Sequence, residues 1–189
     1  MIHPSTLPLD PERARRVVRA VAAPPPDRQH LEDELLHDIA EGLARSVSAE
    51  HLPPGADRRW VRLLATPSYD AWLIGWPPGT GLDLHDHGES SAAVCIVSGV
   101  LDEQHGARRG SARIATRRLV AGDAVAFGPS HVHAVHNAGD RDALSVHVYS
   151  PPLSTMTFFE QGPRAGLLPV DAALVEHDQS QAPLSYTGV

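Results

Sequence analysis

Gly79-Thr80-Gly81-Leu82-Asp83-Leu84-His85-Asp86-His87-Gly88-Glu89-Ser90 is the stretch whose reading decides the fold. Two imidazoles separated by one residue point the same way only if the backbone is extended, because side chains on a strand alternate with period two. On a helix the same spacing would turn them about 200° apart. Entered through Pro77-Pro78-Gly79, the segment reads as a metal site carried on a strand. A second cluster, His131-Val132-His133-Ala134-Val135-His136, follows later in the chain. Extended, it puts His131 and His133 on one face and His136 on the other. Two histidine clusters on strands far apart in sequence are what a metal site inside a β-barrel needs.

Outward from these clusters the periodicity is that of short strands. Residues 59–64 and 69–76 flank the turn Thr66-Pro67-Ser68, and 91–97, 100–105, 112–120, 123–127, 132–137 and 143–149 continue the series. Glycine-bearing turns at Ser98-Gly99, 106–110, Ala121-Gly122 and Ala138-Gly139-Asp140 separate them, the pattern of an antiparallel sandwich or barrel. Residues 155–159 add a further short strand. Ahead of the strands, Asp10 and Pro11 open a helix over 10–23, with Val17, Val18 and Val21 on its apolar face and Pro24-Pro25-Pro26 ending it. A second helix is expected over 30–46, with Leu31, Leu35, Ile39 and Leu43 recurring every fourth residue. The expected organisation is a helical segment over 1–52 packing outside a barrel over 53–170, followed by an irregular tail over 171–189.

Composition narrows the function classes. The chain of 189 residues is 42% hydrophobic and 21% charged, with a formal charge of −7, which argues against nucleic-acid or acidic-membrane partners. Cys95 is the single cysteine, so no internal disulfide forms and nothing indicates an oxidising compartment. The first residues show neither a basic nor an apolar leader region, and no apolar run has membrane-spanning length. A cytoplasmic monomer acting on a small molecule is the expectation. Twelve histidines are the unusual figure.

The barrel and the histidines meet in a pattern that resembles the cupins, small jelly-roll barrels. Gly79 is followed by five residues and His85-Asp86-His87, with Gly99 at the closing glycine of the first cupin motif. The glutamate position of that motif falls on Ala92, so the acidic ligand is missing. His133-Ala134-Val135-His136-Asn137 fits the second motif, which selects His133 over His131 and His136. The ligand set implied is His85, His87 and His133.

Over residues 58–152 the chain resembles the cysteine dioxygenases, thiol dioxygenases of the cupin superfamily. The resemblance rests on both histidine motifs and on Ser145-Val146-His147-Val148-Tyr149-Ser150-Pro151-Pro152. Ser-x-His-x-Tyr sets a hydroxyl, an imidazole and a phenol in a row on one strand face, which is costly to bury unless they hydrogen-bond one another. The resemblance implies that they do, that Tyr149 reaches the metal site positioned by His147 and Ser145, and that the Ser150-Pro151 bond is cis. It implies a substrate-binding arginine one residue from an aromatic on an early strand. Trp60-Val61-Arg62 matches that placement, with Arg58 on the same alternation phase. Some relatives crosslink a cysteine at the Ala92 position to the tyrosine. With Cys95 on the opposite strand face, Tyr149 is expected to be uncrosslinked.

The activity so implied is oxidation of L-cysteine to cysteine sulfinate with Fe(II) as cofactor and O2 as co-substrate. Three imidazoles alone would also suit zinc, copper or nickel. The alternatives are a dioxygenase of 3-mercaptopropionate or another small thiol, a non-catalytic metal-binding cupin, and a zinc isomerase or hydrolase. The last lacks a convincingly placed carboxylate base. Relatives that prefer 3-mercaptopropionate carry Gln at the arginine position, which favours cysteine.

Overall fold

The computed structural model describes residues 30–107, 114–162 and 166–175. A helix, α1 (Asp33–Ala44), and one 3-10 turn (Ala49–His51) lead into the strands. These are β1 (Arg59–Ala65), β2 (Asp70–Trp76), β3 (Gly81–His85), β4 (Ser91–Ser98), β5 (Val100–Ala107), β6 (Ala115–Val120), β7 (Ala124–Phe127), β8 (His131–His136), β9 (Ala143–Ser150), β10 (Thr155–Gln161) and β11 (Leu167–Leu174). They form two antiparallel sheets, one ordered β1-β2-β9-β4-β7 and the other β11-β10-β3-β8-β5-β6. The mainly β, jelly-roll architecture read from the sequence is the one present, with α1 packed on the outside of the first sheet against β4, β7 and β9.

That first sheet is buried on both faces. Trp76, Ala92, Val94, Ile96 and Tyr149 pack towards the barrel interior, together with Leu101, Leu119 and Val135 of the other sheet. Ala71, Leu73, Ala93, Cys95, Val146 and Val148 pack outwards beneath Leu36 and Ala40 of α1. Alternation therefore divides β9 into an outward apolar row and an inward polar one. Cys95 and Tyr149 lie in these opposite clusters, so the sheet itself separates the thiol from the phenol. The Ser150-Pro151 bond is cis.

The helix runs over a shorter range than the 30–46 expected, and its buried face is turned. Leu36 and Ala40 are fully buried, while Leu35 is exposed and Leu31 precedes the helix. A repeat of four advances about 40° per step relative to a true helical turn, so the leucine series drifts around the cylinder. The C-terminal boundary also moves. β11 continues to Leu174, across the point where an irregular tail was expected from 171. Pro169 obscured it, but β11 pairs with β10 alone at the sheet edge, where a missing N–H is tolerated. The helix expected over 10–23 and most of the 171–189 tail lie outside the described residues.

Gly99 closes the β4–β5 turn at φ 77°. A Cβ there would lie 2.6 Å from the Cα of Ala143, so both conformation and space require glycine.

Candidate metal centre

His85 ends β3 and stands directly opposite His133 of β8 in the strand register. His87 follows in the loop. All three side chains are buried, and one ligand atom from each lies within 4.8 Å of the others. The ring centroids are 4.7 Å apart for His85 and His133, and 5.0 Å apart for His87 with either.

Hydrogen bonds decide which nitrogens face inward. His85 Nδ1–H donates to the Asp83 carbonyl at 2.7 Å, and His133 Nδ1–H to Glu103 Oε1 at 2.7 Å. Each leaves Nε2 with a lone pair. His87 Nε2 is buried without a hydrogen-bond partner among the described residues, an atom that a metal would satisfy. Burial holds the His85, His87 and His133 pKa values down, with mutual repulsion adding to it and Glu103 opposing it at His133. Neutral imidazole is the ligating form. These residues fit a metal ion.

The loop is fastened by Asp86. Its side chain accepts from Gly88 N–H at 3.0 Å and Thr157 N–H at 3.1 Å, and its backbone N–H donates to the Thr157 carbonyl. Asn137 does the same for the second motif. Its amide donates to the carbonyls of Trp76 and Arg141, each at 2.7 Å, and its carbonyl oxygen accepts from Gly139 N–H. His136 ends β8 exposed, and a Cβ on Gly81 would collide with its ring.

Facing the histidines is the inward row of β9. Trp76 Nε1–H donates to Ser145 Oγ at 2.8 Å, Ser145 Oγ meets His147 Nε2 at 2.9 Å, and His147 Nδ1 meets Tyr149 Oη at 3.2 Å. An indole only donates, so Ser145 Oγ accepts from Trp76 and keeps its own proton and a second lone pair for His147. The imidazole thus joins the Ser145 and Tyr149 hydroxyls through its two ring nitrogens, one donating and the other accepting. Burial, aided by His133 and Arg58, takes the His147 pKa down to about 3 and keeps the ring neutral. Burial and the neighbouring Asp70 push the Tyr149 pKa up, so it remains a phenol. The His87 and Tyr149 rings are 5.0 Å apart.

Two arginines of the β1 region lie over tryptophans. The Arg62 guanidinium lies over Trp72, and its charge acts on Asp70. Arg58 lies over Trp76 and Trp60, at 5.3 and 5.5 Å from the ring centroids, and its charge acts on Tyr149, His147 and His85. Trp60 is half-exposed on the edge strand, beneath Arg58 and outside the buried core. Arg58 precedes β1, two periods of alternation before Arg62, and its charge is the one that acts on the His85, His147 and Tyr149 groups.

Sequence reasoning passed over three contributors. Trp76 and Asp70 sit in a run that local sequence marks only as a strand, and Glu103, whose carboxylate receives His131, His133 and Arg117, carries no local signal of its role. Glu103, His131 and His133 also lie close enough to resemble a second ion site. The carboxylate is already taken up by three donors, so this is a hydrogen-bonded cluster.

An antiparallel barrel with three imidazoles gathered in its interior is a cupin-like fold carrying a candidate metal site. The family model described as cysteine dioxygenase type I matches residues 55–162, more than half of the chain, and the protein belongs to that family. Similar solved structures include the Cnp3 cupin domain of Schizosaccharomyces pombe (14% identity, TM-score 0.47, covering 55% of this chain and 66% of that one). A double-stranded β-helix protein of Klebsiella pneumoniae is 22% identical (TM-score 0.47, 67% and 92% covered). KdgF from Halomonas is 20% identical (TM-score 0.46, 56% and 90% covered). Among the described residues no helix is long and apolar enough to cross a membrane.

Proposed function

We propose that the protein is a thiol dioxygenase that converts L-cysteine and O2 to cysteine sulfinate, with Fe(II) held by His85, His87 and His133. The observation that carries this reading is the convergence of the His85, His87 and His133 rings with a hydrogen-bonded Trp76–Ser145–His147–Tyr149 row on one buried interior. Four electrons leave sulfur and both oxygen atoms of O2 end on it, so no further reductant is needed. Fe(II) would supply dioxygen binding and reduction beside the thiolate.

The chain's own residues bind and orient. Arg58 is assigned the substrate carboxylate, in place of Arg62, because its guanidinium can hold two carboxylate oxygens at once and its charge acts on the site groups. Tyr149 donates its hydroxyl proton to substrate or dioxygen, fixed by His147 and Ser145. The buried walls exclude water. On the same reading the enzyme is a cytoplasmic monomer taking a free thiol, without nucleic-acid or membrane partners.

The experiment is anaerobic loading with Fe(II), then oxygen uptake with cysteine, 3-mercaptopropionate and cysteamine. Uptake with cysteine matched one-to-one by sulfinate is the expected result. A preference for 3-mercaptopropionate would replace the substrate, and no uptake with iron bound would leave a non-catalytic metal-binding cupin. Arg58→Ala should raise KM for cysteine about 10- to 100-fold, the worth of a charged hydrogen-bonded pair, and leave cysteamine unaffected. A larger effect from Arg62→Ala would return the role to Arg62.

A further inference from the structure

Glu103 is a buried carboxylate on β5, between β8 and β6 in the second sheet. Oε1 accepts from His133 Nδ1 at 2.7 Å and from His131 Nε2 at 3.2 Å, while Oε2 accepts from Arg117 Nε. His85, by contrast, leans on a neutral backbone carbonyl. We infer that Glu103 is a positioning residue for His133. Its negative charge, set behind the ring, fixes Nε2 towards the metal, strengthens that nitrogen as a donor and favours the higher oxidation state of the ion.

The position of the charge explains why the site can lack a carboxylate ligand. Ala92 stands where the first cupin motif carries its acid, and the three imidazoles are formally neutral. Glu103 returns one negative charge to the centre at one ring's remove, through a hydrogen bond instead of a ligand bond. A carboxylate behind a ligating histidine orients the ring and raises its basicity. Burying that carboxylate is tolerable because Arg117, which is one-third exposed, neutralises it from the far side. Arg117 thereby sets how much of the charge His133 receives. The inference rests on the metal site proposed above and is independent of which thiol, if any, is oxidised.

The test compares Glu103→Gln, Glu103→Ala and Arg117→Gln with the wild type. The readouts are Fe(II) and Co(II) affinity by chelator competition and the one-electron potential of the iron-loaded protein. Glu103→Ala is expected to weaken metal binding 10- to 100-fold. Glu103→Gln keeps the shape and an acceptor, and should raise the potential by about 59 mV, a tenfold shift in preference towards Fe(II). Arg117→Gln should leave affinity unchanged or tighter and move the potential downwards. Should Glu103→Ala not fold, the Gln variant carries the comparison. Wild-type affinity and potential in folded Glu103→Gln would overturn the inference. So would equal losses in Glu103→Gln and Arg117→Gln, since a merely structural pair predicts that both fall together. Wild-type protein that binds iron tightly but oxidises no thiol would defeat the proposed function and leave this inference standing.

Discussion

The two faces of β9 are equally buried and chemically opposite. Leu144, Val146 and Val148 pass under α1 into a wholly apolar layer, while Ser145, His147 and Tyr149, one residue out of step, line the interior opposite the metal histidines. Burial therefore does not distinguish structural from functional positions here. What distinguishes them is whether a buried side chain has a directional partner, and whether that partner leads to an atom with none. The outward row ends in packing. The inward row ends at a phenol whose ring lies 5.0 Å from that of His87.

The contrast can be broken from the outside first. Leu36→Ala removes the fully buried side chain that covers the outward row and should cost about 2–5 kcal/mol by urea unfolding. KM for cysteine in the folded fraction should stay within about twofold, since the proposed substrate site is on the other face. A large change in KM would mean that the two faces are mechanically coupled.

The next effect is on the inward side and depends on pH. Burial raises the Asp70 pKa to about 6, against the Leu153 amide, the Trp72 indole and the Arg62 charge. In the unfolded chain the group ionises near 4, so between about pH 4 and 6 the folded state binds more protons and this group's contribution to stability falls as pH rises. Asp70→Asn abolishes that loss. Its stability relative to wild type should grow by up to about 3 kcal/mol from pH 4 to pH 8, as two pKa units imply. A pH-independent difference would show that Asp70 is not held protonated by the fold.

The smallest change in structure sharpens the comparison most. Tyr149→Phe keeps the ring and removes the one hydroxyl that completes the row. It should lower kcat about 10²-fold, the usual scale for a lost proton donor, with thermal unfolding nearly unchanged. An unaltered kcat would reduce the row to a buried network with a structural role.

Much of this was legible in the chain. Period-two spacing suffices for Ser145-x-His147-x-Tyr149, because a strand converts alternation directly into a shared face, whereas His87 lies past the end of β3 in the loop that Asp86 holds. The antiparallel barrel followed from periodicity and turns, and the resemblance of the histidine motifs to the cupins made it a jelly-roll. The choice between Arg62 and Arg58 was not legible, because a guanidinium at the end of a long flexible stem can reach several sites, and packing over Trp72 or over Trp60 and Trp76 decides where each lies. Glu103 was invisible because its partners come from β6 and β8, and pairing across a sheet is not written in local sequence. β11 was hidden behind Pro169, whose tolerance depends on being at an edge.

The fastening of Asp86 to Thr157 bears on where the chain can be cut. Every metal, hydroxyl and arginine position discussed here precedes Pro151, and a shortened protein ending there would look complete on paper. It would nevertheless lose the β10 backbone that anchors the loop between His85 and His87, along with the pairing of Phe158 beside His85. Such a truncation should keep its full complement of ligands while gripping metal poorly. The C-terminal hairpin is thus a working part of the centre although it contributes no atom to it.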